Sequence, residues 1–279
     1  MDPQLLRFVQ LTQLDISKEI KKICEKHQIP YFLDGGSLLG AVRHQGFIPW
    51  DDDMDFGMLR EDYERFLQIA PQELPAPLFL QTTETDPGYG YAFAKIRNRD
   101  SLYLERVSQN STENHGIFVD IFPYDALPDD TKKAQQLYRQ LTALKMILKV
   151  KVHYKPWNAS ENTNKKRWLL YLPARFLSVF MSKERIVKQY NRIATRYNSS
   201  STAKYYAQVA ESFGHWEMDR SFFSSRVELP FENVTFSAPS DYDGFLTAGY
   251  GDYMKLPPED KRSSTHGILQ VKLGRPLFS

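Results

Sequence analysis

The sequence predicts a mixed α/β fold, α+β in overall character: a core sheet flanked by helices, with an inserted basic helical region. Three observations lead there. Segments with helical and strand-type hydrophobic periods alternate over residues 1–128, as expected where strands and covering helices share one core. Residues 131–195 then read mainly as helix, with fifteen Lys and Arg against two acids, Glu161 and Glu184. The C-terminal third returns to short strands and proline-marked turns. The expected organisation is a core over 1–128, a basic helical insert over 129–198, and a segment over 199–279 that completes the core.

The first helix is amphipathic: Leu5, Val9, Ile16, Ile20 and Ile23 lie close to helical spacing, and it ends before Pro30. Cys24 follows that stripe as a small buried hydrophobe. Ile29–Leu33 reads as a short buried strand, Gly35-Gly36 as its turn, and Ser37–Val42 as a helix starting at the glycines. Asp53–Leu59 is the next strand and Glu61–Ile69 a helix, after which Pro71, Pro75 and Pro77 mark a surface connection. Leu78–Gln81, Ala92–Ile96 and Ser101–Leu104 are strand candidates, with a turn at Asp86-Pro87-Gly88. Gly116–Phe122 is a β-branched and aromatic run holding one carboxylate, Asp120. An unpartnered buried charge is costly, so Asp120 reads as a ligand or base; a strand-end residue bonded to a backbone amide is the alternative. In the basic region, Trp168, Leu169, Leu170, Tyr171, Leu172 and Phe176 add apolar character, and Pro173 interrupts the helical pattern. The region is either a helical subdomain with a solvated basic face or a surface for an anionic membrane or polyanionic acceptor.

Composition narrows the partners. A formal charge of +2 over 279 residues gives no reason to expect nucleic acid. A single cysteine excludes an internal disulfide framework and a Cys-rich zinc site, and fits a reducing compartment. The N-terminus lacks a basic segment followed by an unbroken apolar run, and no window has the length of an apolar membrane span. A cytoplasmic protein, peripheral at the inner face of the membrane, is the expectation.

The chemistry concentrates between Asp34 and Gly57. If Asp51–Phe56 is extended, Asp51, Asp53 and Asp55 share one face while Met54 and Phe56 turn to the core. Carboxylates that close repel one another unless a cation sits among them, which makes a divalent metal the first hypothesis. An EF-hand loop counted from Asp51 fails at its turn, because the sixth and twelfth positions hold Phe56 and Asp62 where glycine and glutamate are wanted. The glycines are not a Walker loop, since no Gly-Lys-Ser/Thr follows. A strand, a Gly-Gly-Ser helix start and an Asp-x-Asp strand together specify phosphoryl-type transfer from a nucleotide-like donor. The helix amides can bind phosphate, and carboxylate-held Mg²⁺ can bridge phosphate oxygens.

The segment GGSLLGAVRHQGFIPWDDDMDFG resembles the N-terminal signature of the LicD family. FAKIRNRDS, HGIFVDIFPYD and LPFEN…YGDYMKLPPEDKR are similar to further LicD segments, and fukutin-related protein carries a segment like the first. That family lies in the nucleotidyltransferase superfamily, so the resemblance implies a nucleotidyltransferase-like core. It implies transfer of a phospho-alcohol, typically phosphocholine from CDP-choline, to a sugar hydroxyl of a lipid-linked cell-surface glycan, lipopolysaccharide or teichoic acid precursor, with CMP leaving. Phospho-alditol or sugar-phosphate transfer from another CDP-activated donor, or nucleotidyl transfer to a small molecule, is the alternative.

Residue by residue, the resemblance assigns Mg²⁺ or Mn²⁺ to Asp53 and Asp55, with Asp51 nearby and Asp120 either completing the metal site or taking the acceptor proton. Gly35, Gly36 and Ser37 would contact donor phosphates. Arg43 and His44 are further phosphate contacts or simply surface. Lys95 and Arg97, two apart on a proposed strand, share a face and could pair with diphosphate oxygens. Trp50, Tyr89 and Tyr91 are candidates for stacking on a base or caging a quaternary ammonium, against ordinary packing. Arg262 and His266 are candidates for phosphate contact, with a structural role equally open.

Overall fold

The structure is a computed structural model that describes residues 1–155, 171–200, 203–210, 216–262 and 267–274. Helix α1 (Pro3–His27) starts where Asp2 accepts hydrogen bonds from the amides of Gln4 and Leu5, and stops where Gln28 turns left-handed. It buries Val9, Ile16, Ile20, Ile23 and Cys24, the expected stripe, and packs against the sheet. Strand β1 is only Phe32–Leu33. Helix α2 (Gly35–His44) includes the glycines as its first turn, with Asp34 as N-cap. Strand β2 begins at Asp55 and runs to Leu59, two residues later than expected, because 51–54 is irregular chain. Helix α3 (Arg60–Glu73) continues through Pro71, which the sequence had placed in a surface connection.

Strands β3 (Leu78–Gln81), β4 (Ala94–Asn98), β5 (Leu102–Glu105) and β6 (Ile117–Ala126) follow. All ten residues of β6 are buried, and that position makes it the centre of the molecule. The main sheet runs β1-β2-β6-β4-β3, with β7 (Tyr205–Ala207) and β8 (Glu217–Asp219) extending from the far end of β6. β2 and β6 are parallel and their register sets Asp55 opposite Asp120; β4 is antiparallel to β6 and sets Lys95 opposite the same Asp120. Neighbouring positions in register point to the same face of a sheet, so a cation and two acids are fixed side by side by strand pairing.

Helices α4 (Thr131–Lys151), α5 (Leu172–Phe180) and α6 (Lys183–Ala194) form the inserted helical region around their own apolar cluster of Leu137, Leu141, Leu144, Ile186 and Tyr190. Pro173 opens α5 rather than breaking it. Trp168, Leu169 and Leu170 lie outside the described residues. The hairpin of β9 (Arg226–Phe231) and β10 (Val234–Pro239) and helix α7 (Tyr242–Tyr250) pack against β1 and α2. Strand β11 (Ile268–Lys272) pairs with β5. The C-terminal third therefore returns to the glycine-opened helix.

Candidate active site

Two devices hold the acidic segment in place. From α1, the amides of Gln10 and Gln13 donate to the backbone carbonyls of Asp51 and Asp52, both at 2.8 Å, and the Ser17 hydroxyl reaches the sulfur of Met54 at 3.1 Å. These polar side chains are buried on a helix face that otherwise packs apolar groups, so their role is to satisfy irregular chain at the edge of the strand ladder. From α2, the Ser37 hydroxyl accepts the amide of Asp55 at 2.8 Å, and the Asp34 amide donates to the Asp55 carbonyl at 3.1 Å. Ser37 thus anchors a carboxylate from behind.

The glycines face those carboxylates. Gly35 sits at φ +50°, and a side chain on Gly36 would place its Cβ 2.7 Å from Asp51 Oδ2. A Cβ there would meet the end of the Asp51 side chain and push that carboxylate aside. A cavity of about 540 Å³ opens there. Gly35, Gly36, Arg43, Trp50, Asp51, Asp53 and Asp55 line it, together with Asp34, Phe122, Gln208, Trp216, Tyr250, Asp252, Tyr253 and Lys255. Asp120 stands beside Asp55 on the neighbouring strand.

The electrostatics fit a bound cation. Burial, then the charges of Asp53, Asp120, Asp34 and Asp51, hold the Asp55 carboxyl well above the ordinary carboxylate range. Its Oδ1 is shut from solvent and has no hydrogen-bond partner among the described residues. Ligand oxygens of Asp51, Asp52 and Asp53 lie within 4.8 Å of one another. Asp52 is the least suited of these, being fully buried with its Oδ2 accepting the Tyr103 hydroxyl. The clustered oxygens of Asp51, Asp52 and Asp53 are hard donors of the kind that suit a divalent cation such as Mg²⁺ or Mn²⁺, and Asp55 couples electrostatically to Asp51 and Asp53.

Asp34, overlooked in the sequence, is also in the wall. It accepts from the Tyr124 hydroxyl at 2.7 Å, the Gly35 amide at 2.8 Å and the Trp216 indole at 3.3 Å. Burial pushes its carboxyl up to about 6 against those hydrogen bonds, which lower it. The hydroxyl of Tyr250 is raised too, first by burial and then by Asp34, Asp55, Asp51 and Asp53. Trp216 and Tyr250 meet edge to face at 5.1 Å.

The remaining candidates are placed as follows. Arg43 donates to the Tyr253 carbonyl at 2.8 Å and to His44 at 3.0 Å. His44 stands edge-on to Trp50, and the Arg262 guanidinium lies 5.6 Å from the centre of the Trp50 ring. His266 lies outside the described residues. Four other candidates do not line this cavity. Lys95 is buried, paired with Asp120 Oδ1 at 2.8 Å and held over the Phe118 ring. Arg97 is fully buried and donates to Gln81 at 2.5 Å and to the Gly116 carbonyl at 2.7 Å, so its charge serves the interior. Tyr89 is fully buried, and Tyr91 packs among Tyr89, Phe93 and Tyr154. Their place in the wall is taken by Trp216 and Tyr250. These come from the C-terminal third, which the sequence reads only as short strands and turns.

Carboxylates clustered at a strand start against a glycine-opened helix define a nucleotidyltransferase-type centre. Residues 28–149 match the family described as LicD/FKTN/FKRP, nucleotidyltransferase domain. The chain is 34% identical to the lipopolysaccharide cholinephosphotransferase LicD of Haemophilus influenzae over 266 residues, covering 94% of this chain and 96% of that protein. A Rickettsia prowazekii protein is 45% identical over 129 residues, 46% of this chain and 44% of its own length. Human ribitol 5-phosphate transferase FKRP is 30% identical over 110 residues, 39% of this chain and 20% of that protein. The chain belongs to the LicD family of the nucleotidyltransferase superfamily. Among the described residues, no helix is long and apolar enough to cross a membrane.

Proposed function

We propose that this chain transfers phosphocholine from CDP-choline to a sugar hydroxyl of a lipid-linked cell-surface glycan or teichoic acid precursor. The observation that carries this reading is the convergence of Asp51, Asp53 and Asp55 on the glycine-opened start of α2, inside a cavity walled by Trp50, Trp216 and Tyr250. The likeness to the Haemophilus cholinephosphotransferase over nearly the whole chain favours choline as the alcohol. The likeness to FKRP, confined to 110 residues, keeps a phospho-alditol as the second reading.

Asp51, Asp53 and Asp55 would hold the divalent cation, which when bound neutralises charge on the donor's diphosphate. The start of α2 presents its amide end to the diphosphate. Arg43 and Lys255, at the cavity wall, add positive charge for the departing CMP. The aromatic faces of Trp216 and Tyr250, with Asp34 behind them, suit a quaternary ammonium. In the reaction the sugar oxygen forms its bond to the choline-side phosphorus, the bond from that phosphorus to CMP breaks, and the sugar proton passes to a carboxylate. Asp120, beside Asp55 on the neighbouring strand, would receive it, and Lys95, paired with Asp120 at 2.8 Å, would steady the charge of its ionised form.

The test is CMP release from a panel of CDP-activated alcohols with a glycan acceptor. Release from CDP-choline supports the proposal, and release from a CDP-alditol alone replaces choline by an alditol. Pyrophosphate release from a nucleoside triphosphate would make the enzyme a nucleotidyltransferase. Asp53→Asn is expected to reduce turnover at least a hundredfold with the far-UV circular dichroism unchanged; near-normal turnover would remove Asp53 from the site.

A further inference from the structure

We infer that helix α5 docks this protein on an anionic phospholipid bilayer, its apolar stripe lying among the headgroups. The helix reads LPARFLSVF, and Leu172, Phe176, Val179 and Phe180 recur at helical spacing on one side. That side is left in solvent: Phe176 is 65%, Val179 72% and Phe180 67% exposed, with the two phenylalanine rings 4.9 Å apart. The opposite side is satisfied, since Ala174 and Ser178 are buried and Lys151 donates to the Ser178 carbonyl at 2.9 Å. Neighbouring apolar side chains exposed to this degree mark an interaction surface.

Charge selects the occupant. The helix carries Arg175 and no acid. Residues 131–155 and 171–194 together hold twelve Lys and Arg against one acid, Glu184. An apolar stripe on a helical region this rich in Lys and Arg and poor in acids is the pattern of an interfacial helix attracted to anionic headgroups. At nine residues, α5 is far too short to span a bilayer, so it lies in the surface. This docking goes beyond the proposed transfer and does not depend on which alcohol is moved.

The experiment uses the full chain and co-sedimentation with phosphatidylcholine vesicles, with and without phosphatidylglycerol. Binding is expected to the anionic vesicles, weakening as salt rises to about 0.5 M, and at least about tenfold weaker for the double variant F176S/F180S. Unchanged far-UV circular dichroism and melting of that variant assign the loss to the stripe. Equal partitioning to neutral and anionic vesicles overturns the inference, as does wild-type-like binding by the variant. Self-association that F176S/F180S abolishes, without vesicle binding by the wild type, gives the face to a second copy and also overturns it. CMP release with a soluble acceptor, measured in parallel, separates this outcome from failure of the proposed reaction. The variant is expected to retain that turnover.

Discussion

Asp55 concentrates the conflict that the site is built to hold. Its carboxyl is raised by burial and by four neighbouring acids, so its ionised form destabilises the cation-free fold. Asp55→Asn is therefore expected to raise the melting temperature of the cation-free protein near neutral pH while abolishing turnover; a lower melting temperature would count against the carboxylate repulsion. Asp34 gives a pH signature. Its folded value is about 6 against an ordinary 3.8, so the folded protein binds that proton more tightly than the unfolded chain. The stability this confers is full below 3.8 and is lost as pH rises through about 6. Asp34→Asn keeps a good N-cap and is expected to lose less stability between about pH 4 and 6 than the wild type, by up to about 3 kcal/mol. Parallel stability-versus-pH curves for the two proteins would contradict this.

Among the elements, α1 and α2 act as a clamp on the acidic segment. The α2 side rests on the closeness of approach at Gly36, where an added Cβ meets Asp51 Oδ2 at 2.7 Å. Gly36→Ala is expected to push that carboxylate aside, lowering turnover and divalent-cation affinity at least tenfold while helix α2 persists, because alanine is the better helix former. Titration of the melting temperature with Mg²⁺ reads the affinity directly. The α1 side rests on Gln10 and Gln13, which bond the Asp51 and Asp52 carbonyls. At the sequence level these glutamines look like the polar edge of an amphipathic helix. Their function follows from an irregular strand lying against that helix, which no local period encodes.

For the whole molecule, folding gathers acids from β2, β6 and the 51–53 segment, and a bound cation favours the gathered state. Mg²⁺ at about a hundred times its dissociation constant is expected to stabilise the protein by about 2.7 kcal/mol, seen as a rise of several degrees in melting temperature that EDTA reverses. No shift with either Mg²⁺ or Mn²⁺ would leave the carboxylate cluster without its ligand.

The sequence alone determined the α1 stripe, the glycine-opened helix, the Asp-x-Asp step into β2 and the helical, basic character of the insert. Each is a local pattern whose period is the period of the backbone itself. Tertiary structure decided the rest. Lys95 and Arg97 read as phosphate ligands from their alternation on a strand, yet β4 lies inside the sheet, where one cation pairs with Asp120 and the other with Gln81 and a carbonyl. Tyr250 joined the cavity because α7 packs on α2, and Trp216 because the strand that follows it, β8, packs on α7. Alternation states which residues share a face; what covers that face depends on segments far along the chain, held by packing that short-range periodicity does not record.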